Sequence, residues 1–416
     1  MHCRVPDDFQ HISLSQTVNN IISSASRTIR GMIAGFCSSV VGIGLSRFAY
    51  TPLIPALVTE HWFSGSQAAY IGAANLIGYL LGALNSLNLT RAISVTTLLP
   101  AMMLVVTASF FASAHPLPFA WFFAWRFAAG FAGGVLMVMG MATALEQVPE
   151  NRRGFAAGIA IGGVGVGIIA SGTLVPILLT WGLSQTWLGL GTLSLVLTAL
   201  AWPLWPSQHR AARPRPKHGF DRNRALWLVY APSALSAMGL VPYFIFVVDF
   251  IARGLNHGIV AGAHVWVASG ISALFGAALI GHVGDSVGFK NTFRCGFVIQ
   301  ALAVGSFAFA DSLGVLLIAS VMIGAFIPAI VPLVLGRIKE LIPGDATAQR
   351  AVWRTATASF GVGQAVAGYV YSFIFSKSGG DYRLLFLLGA LCFVIALCLD
   401  FYLVRSPQQA KASIQP

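Results

Sequence analysis

Ser207–Arg224 reads SQHRAARPRPKHGFDRNR: six basic residues, one acid and two prolines inside an otherwise apolar chain of 416 residues. Such a stretch cannot pack into a core and reads as a solvated linker. Before it lie apolar runs near 32–58, 67–89, 92–113, 118–145, 155–180 and 186–205. After it lie runs near 225–251, 260–283, 292–311, 313–337, 351–376 and 383–404. About 20 apolar residues are needed to cross the hydrocarbon core as a helix, and in lipid the backbone must satisfy its own hydrogen bonds, so these runs are helices. His115-Pro116-Leu117-Pro118 separates the third run from the fourth. The pattern predicts an all-α membrane protein of about twelve transmembrane helices in two pseudo-symmetric six-helix bundles. The boundaries are a tail at 1–31, a bundle at 32–205, the basic linker at 206–224, a bundle at 225–405 and a tail at 406–416.

Composition agrees. The chain is 56% hydrophobic and 9% charged, far too few charges to cover a soluble surface. A net charge of +12 in a soluble protein would suggest nucleic acid. Here the charges sit between apolar runs and obey the positive-inside rule instead. With the N-terminus inside, twenty of the 25 Lys and Arg fall on the cytoplasmic side, and only Arg253, Lys377 and Arg383 fall opposite. This predicts cytoplasmic termini in a multi-pass protein of the cell membrane, the inner membrane of a bacterium, and no nucleic-acid partner. Residues 1–31 read as a polar cytoplasmic leader without an apolar core, or as a stretch upstream of a start at Met32. The five cysteines follow no framework spacing and read as small core residues, and no metal or cofactor site is expected.

The halves repeat one another. Gly165-Val166-Gly167 and Gly172 recur as Gly361-Val362-Gly363 and Gly368 at an offset of 196, and Gly82-Ala83 recurs as Gly276-Ala277 at 194. Parallel repeats of this kind place a substrate site at their interface near the bilayer midplane.

Three segments resemble the major facilitator superfamily. Gly281-His-Val-Gly-Asp285-Ser-Val-Gly288-Phe-Lys290 resembles its gating-loop signature, with Ser286 where an Arg is usual. The corresponding N-half loop, Asn85 to Arg91, lacks the Asp. Arg126-Phe-Ala-Ala-Gly130-Phe-Ala-Gly-Gly134 resembles its fourth-span pattern, and Gly162 to Gly172 its glycine-rich fifth span without the usual Gly-Pro pair. Gly42-Ile-Gly-Leu-Ser-Arg47-Phe-Ala-Tyr50-Thr-Pro-Leu-Ile-Pro55, followed by Ala74-Asn-Leu-Ile-Gly78-Tyr-Leu-Leu-Gly82-Ala83, is similar to the YbfB/YjiJ branch. The resemblance implies the superfamily fold, a monomeric secondary transporter working by alternating access, a small-molecule substrate and H⁺ coupling. It supplies no substrate.

Charges inside spans are costly and tend to face a cavity. Arg47 and Arg126 are candidates for binding an organic anion, because a guanidinium matches a carboxylate with two hydrogen bonds. For both, locking helices together is the competing role. Tyr50 and Tyr243 are candidate cavity residues, with packing as the alternative. Asp249 is the proton-coupling candidate, being a carboxylate in an apolar span, although an ion pair with Arg253 at i+4 accounts for it equally. Asp285 is expected to cap a helix or meet a cation. Glu146 and Asp400, near span ends, are expected to reach water. Gly130, Gly134, Gly165, Gly167 and Gly172 are expected to pack helices closely, and Pro52 and Pro55 to break the first helix.

A broad-specificity drug or metabolite efflux antiporter is the other transport reading. The middle of the first six spans holds no acid, which disfavours cationic drugs. A membrane-embedded enzyme finds no support: HExxH is absent, and neither His282-Val-Gly284-Asp285 nor Ile169-Ala-Ser171-Gly172 fits an intramembrane protease motif. A sensor would need an output domain that the spans leave no room for.

Overall fold

The computed structural model describes residues 14–149, 152–206 and 227–412. The leader up to residue 13, the basic stretch Ser207–Arg224 and the last four residues lie outside the described residues. Among the described residues there is no strand, and twelve helices are long and apolar enough to cross a membrane. They are α1 (Ser26–Thr59), α2 (Gly65–Ala92), α3 (Val95–Ala112), α4 (Phe119–Glu146), α5 (Arg153–Leu179), α6 (Leu183–Leu204), α7 (Trp227–Gly254), α8 (Gly258–Val287), α9 (Phe289–Phe309), α10 (Leu313–Leu341), α11 (Ala351–Lys377) and α12 (Tyr382–Tyr402). Each coincides with one apolar run, and several extend further. α10, for example, continues to Leu341 through Arg337 and Lys339, since hydropathy marks where lipid ends and hydrogen bonding marks where a helix ends.

Local chemistry sets the ends. Ser64 and Gln67 form a reciprocal capping box that starts α2, with bonds of 3.0 and 3.2 Å. Pro118 caps α4, so the His115–Pro118 break falls where expected. α8 meets α9 at Gly288 alone, whose φ of +90° is open to glycine and strained for other residues. α1 is not straight: a π-helical turn at Val40–Leu45 precedes Arg47, and a 3-10 turn at Thr51–Leu53 follows it, where Pro52 has no N–H to donate.

α1–α6 pack as one bundle and α7–α12 as another, joined along two seams, α5 against α8 and α2 against α11. Glycines that recur in sequence make equivalent contacts in the two halves. A Cβ on Gly167 would fall on Gly44 of α1, and one on Gly363 would fall on Ala234 of α7. Gly172 faces Val267 and Trp266 across one seam, and Gly368 faces Leu76 and Ala73 across the other. Gly82 abuts the Phe131 carbonyl of α4, and Gly276 the Ala325 carbonyl of α10. Small residues allow such backbone approach where no hydrophobic effect drives helices together.

Candidate functional site

Leu204 and Trp227 end α6 and begin α7 on one face of the protein, here the linker side; the other face is the distal side. Between the bundles lies a cavity of about 160 Å³, lined by α1, α2, α4, α5, α7, α10 and α11. Its walls are mostly apolar, and none of the described lining residues is an acid. Gln364 lies deep on α11, and Trp353 and the exposed Thr357 lie nearer that helix's linker-side end. Val138 and Ile161 hold similar positions on α4 and α5, so the mouth faces the linker side.

Arg47 is the one cation in the cavity wall among the described residues. Its Nη1 donates to Gln364 Oε1 of the opposite bundle at 3.0 Å. Nε and Nη2 are buried without a hydrogen-bond partner among the described residues. The guanidinium instead lies against the rings of Phe244, Phe48 and Tyr79, at 4.9, 5.3 and 5.9 Å from their centroids. Cation–π contact softens the desolvation of such a group but leaves two strong donors unspent.

Arg126 lies behind the wall rather than in it. It is 1% exposed, and Nε, Nη1 and Nη2 all lack hydrogen-bond partners among the described residues. Its guanidinium sits 4.8 Å from the Tyr50 ring centroid, and Tyr50 donates its hydroxyl to Ala68 O at 2.9 Å. Asn75 holds this region together: its Nδ2 donates to Ser46 O and to Arg126 O, both at 3.3 Å, joining α1, α2 and α4. Gly130 packs on the Asn75 carbonyl and Gly134 on that of Tyr79. Tyr243 is fully buried, its ring 5.6 Å from Trp266 and 5.7 Å from Phe307, and it does not line the cavity.

On the distal side the bundles meet. Thr51 donates its hydroxyl to the Phe244 carbonyl. Phe48 packs on Phe244 and Trp266 at 5.3 and 5.8 Å, and Trp266 Nε1 donates to Ser171 Oγ at 3.1 Å. Gly165 and Gly172 let α8 approach α5 here. Asp249 is also distal, away from the cavity and 1% exposed. Arg253 binds it through Nε and Nη2, both at 2.5 Å, and the Tyr382 hydroxyl donates to its Oδ2 at 2.7 Å. Every member of this triad belongs to the second bundle.

On the linker side, Asp285 is exposed and has no hydrogen bond or ion pair among the described residues. The N-terminus of α9 is capped instead by Glu340 of α10, which accepts from Phe289 N at 2.7 Å and Lys290 N at 3.1 Å. Gly281 sits open, with only Pro332 near its Cβ position. Asp400, expected to reach water, is 1% exposed and bound to Arg294 at 2.5 Å, with Arg337 4.0 Å away. Helices α9, α10 and α12 converge around it and exclude solvent. Gln364 and Asn75 were not among the expected residues. The available signal was a polar amide inside an apolar span, which a search for charges passes over.

The family model described as "Uncharacterised MFS-type transporter YbfB" matches residues 39–401. Among solved structures, the chain is similar to a point mutant of the nucleoside transporter NupG, with 14% identity, a TM-score of 0.74, and 91% of this chain and 99% of that one covered. It is also similar to a bacterial homolog of the human lysosomal transporter Spinster in an inward-facing, unoccupied conformation, with 14% identity, a TM-score of 0.71, and coverage of 91% and 97%. No curated protein matches in sequence.

Proposed function

Because the chain belongs to the YbfB-type family of major facilitator transporters, we propose that it moves a small organic anion across the membrane by alternating access, coupled to H⁺. The observation that carries the charge preference is Arg47, which stands in the wall of the central cavity with Nε and Nη2 unspent and no acid among the lining residues to neutralise it. An anion placed there gains charge-assisted hydrogen bonds; a cation meets like charge in an apolar setting. On this reading the cavity is the substrate site and the linker side is the cytoplasm of the cell, with the membrane being the inner one in a bacterium. Arg126 serves the same path beyond the distal closure: rocking of the bundles about the α5–α8 and α2–α11 seams would part Thr51 from Phe244 and carry access to the other side. Asp249 is the coupling candidate, since a proton on its carboxylate would weaken its hold on Arg253 and Tyr382 at the distal end of α7.

Arg47→Ala in proteoliposomes tests the assignment. The variant inserts and purifies as the native protein does but carries no anion; transport at the native rate removes Arg47 from the site.

A further inference from the structure

The cavity walls narrow the substrate beyond its charge, granted the anion reading above. We propose that the solute is a monovalent anion with a flat apolar body the size of a single aromatic ring: its anionic group on the free edge of Arg47, its body between Phe244, Phe360 and Trp353.

The cavity has little polar capacity away from Arg47. Besides Arg47, the described lining offers polar side-chain groups on Ser233, Thr357 and Gln364, the Tyr79 hydroxyl and the Trp353 indole N–H. Ser233 spends its hydroxyl on Val229 O at 2.6 Å, and Thr357 on Trp353 O at 2.9 Å. Gln364 has its Oε1 fixed by Arg47, which leaves its Nε2 as a donor beside the guanidinium. The remaining donors therefore gather around Arg47, apart from the Trp353 indole N–H nearer the linker-side mouth. A polyhydroxylated solute would leave most of its hydroxyls unpaired, at a cost for each. A second carboxylate would have no cation, and an ammonium no acid. The cavity's shape points the same way. Phe48, Tyr79, Phe244, Trp353 and Phe360 all reach the lining, so the body is met by rings, which favour flat apolar partners. An anionic group arriving at Nε and Nη2 exchanges ring contact for two charge-assisted hydrogen bonds.

The test is equilibrium binding of radiolabelled benzoate to the purified full-length protein in nanodiscs, with four competitors. Benzenesulfonate should compete comparably. Succinate, benzyl alcohol and benzylamine should each compete at least about tenfold more weakly, since each lacks the single negative end or adds an unpaired polar one. Gln364→Glu, which sets a carboxylate beside Arg47, should weaken benzoate by about tenfold or more while the protein still elutes as a folded species. Succinate binding more tightly than benzoate overturns the apolar-body proposal and leaves the anion reading standing. Saturable benzylamine binding with no competition from any anion overturns both. Folded protein without saturable benzoate binding overturns the proposal, and flux of other organic anions then decides the broader reading.

Discussion

The distal closure depends on how near α5 and α8 can come, and Gly172→Ala probes that distance. A Cβ at Gly172 would lie 2.6 Å from Val267 Cγ2, 3.2 Å from the Ala263 carbonyl oxygen and 3.3 Å from Trp266 Cδ1. Val267 is β-branched and has few rotamers in a helix. Ala263 presents backbone, and Trp266 is fully buried and anchored on Ser171. The clash is therefore relieved by separating the helices. Overpacking of this kind costs about 1–3 kcal/mol, and under the proposed alternating access only the distally closed conformation would bear it. The gain of about 1 kcal/mol from replacing a helical glycine is common to both conformations and cancels. A differential of about 1–3 kcal/mol raises the distally open population about 5–150-fold while that population is minor. Ile245, buried at 4% and facing Gly72 across the bundles, reports it. In a background with the five native cysteines replaced by serine, an Ile245→Cys thiol should react with a membrane-impermeant reagent on the distal side faster by that factor when Gly172→Ala is added. An unchanged rate in folded protein would refute the idea that the α5–α8 seam holds the distal side closed.

Asp249→Asn should retain exchange of substrate across proteoliposomes but lose accumulation driven by a pH gradient; undiminished accumulation removes Asp249 from coupling. Asp400→Asn takes from Arg294 a carboxylate that is 1% exposed, while Arg337 keeps Glu340 at 3.0 Å, a loss of about 3–5 kcal/mol for a broken buried pair, read as a lower thermal midpoint in detergent. Gly82→Leu drives a side chain into the Phe131 carbonyl region of α4, so monodisperse protein should fall sharply on size exclusion, whereas Gly154→Leu, with open space around it, should leave the yield unchanged.

Much of the architecture was legible because membrane physics writes it in composition. Twelve apolar runs, a one-sided distribution of Lys and Arg and two nearly equal glycine offsets need no tertiary information. The glycine pairs were legible for a physical reason as well: equivalent helix crossings demand small residues at equivalent positions, so Gly167 and Gly363 each mark the crossing with their bundle's first helix. The site was legible only in part. Arg47 stood out as a charge in an apolar run, but its partner Gln364 is neutral and 317 residues away, so no spacing could join them. Arg126 stood out equally, yet it packs on Tyr50, and neither residue lines the cavity. The Asp249–Arg253 pair follows from i,i+4 spacing, whereas Tyr382 arrives from α12. In the gating-loop signature, helix capping was expected of Asp285. The left-handed turn at Gly288 brings the start of α9 to the end of α10, and Glu340 reaches the free amides first.

Selection of negative charge by the cavity is what the anion reading requires. Its most direct test is flux through the purified full-length protein in liposomes, with organic anions and organic cations presented in parallel, with and without a pH gradient. Anion flux that depends on Arg47 and rises with the proton gradient is the predicted result. Flux of cations without anions would contradict it.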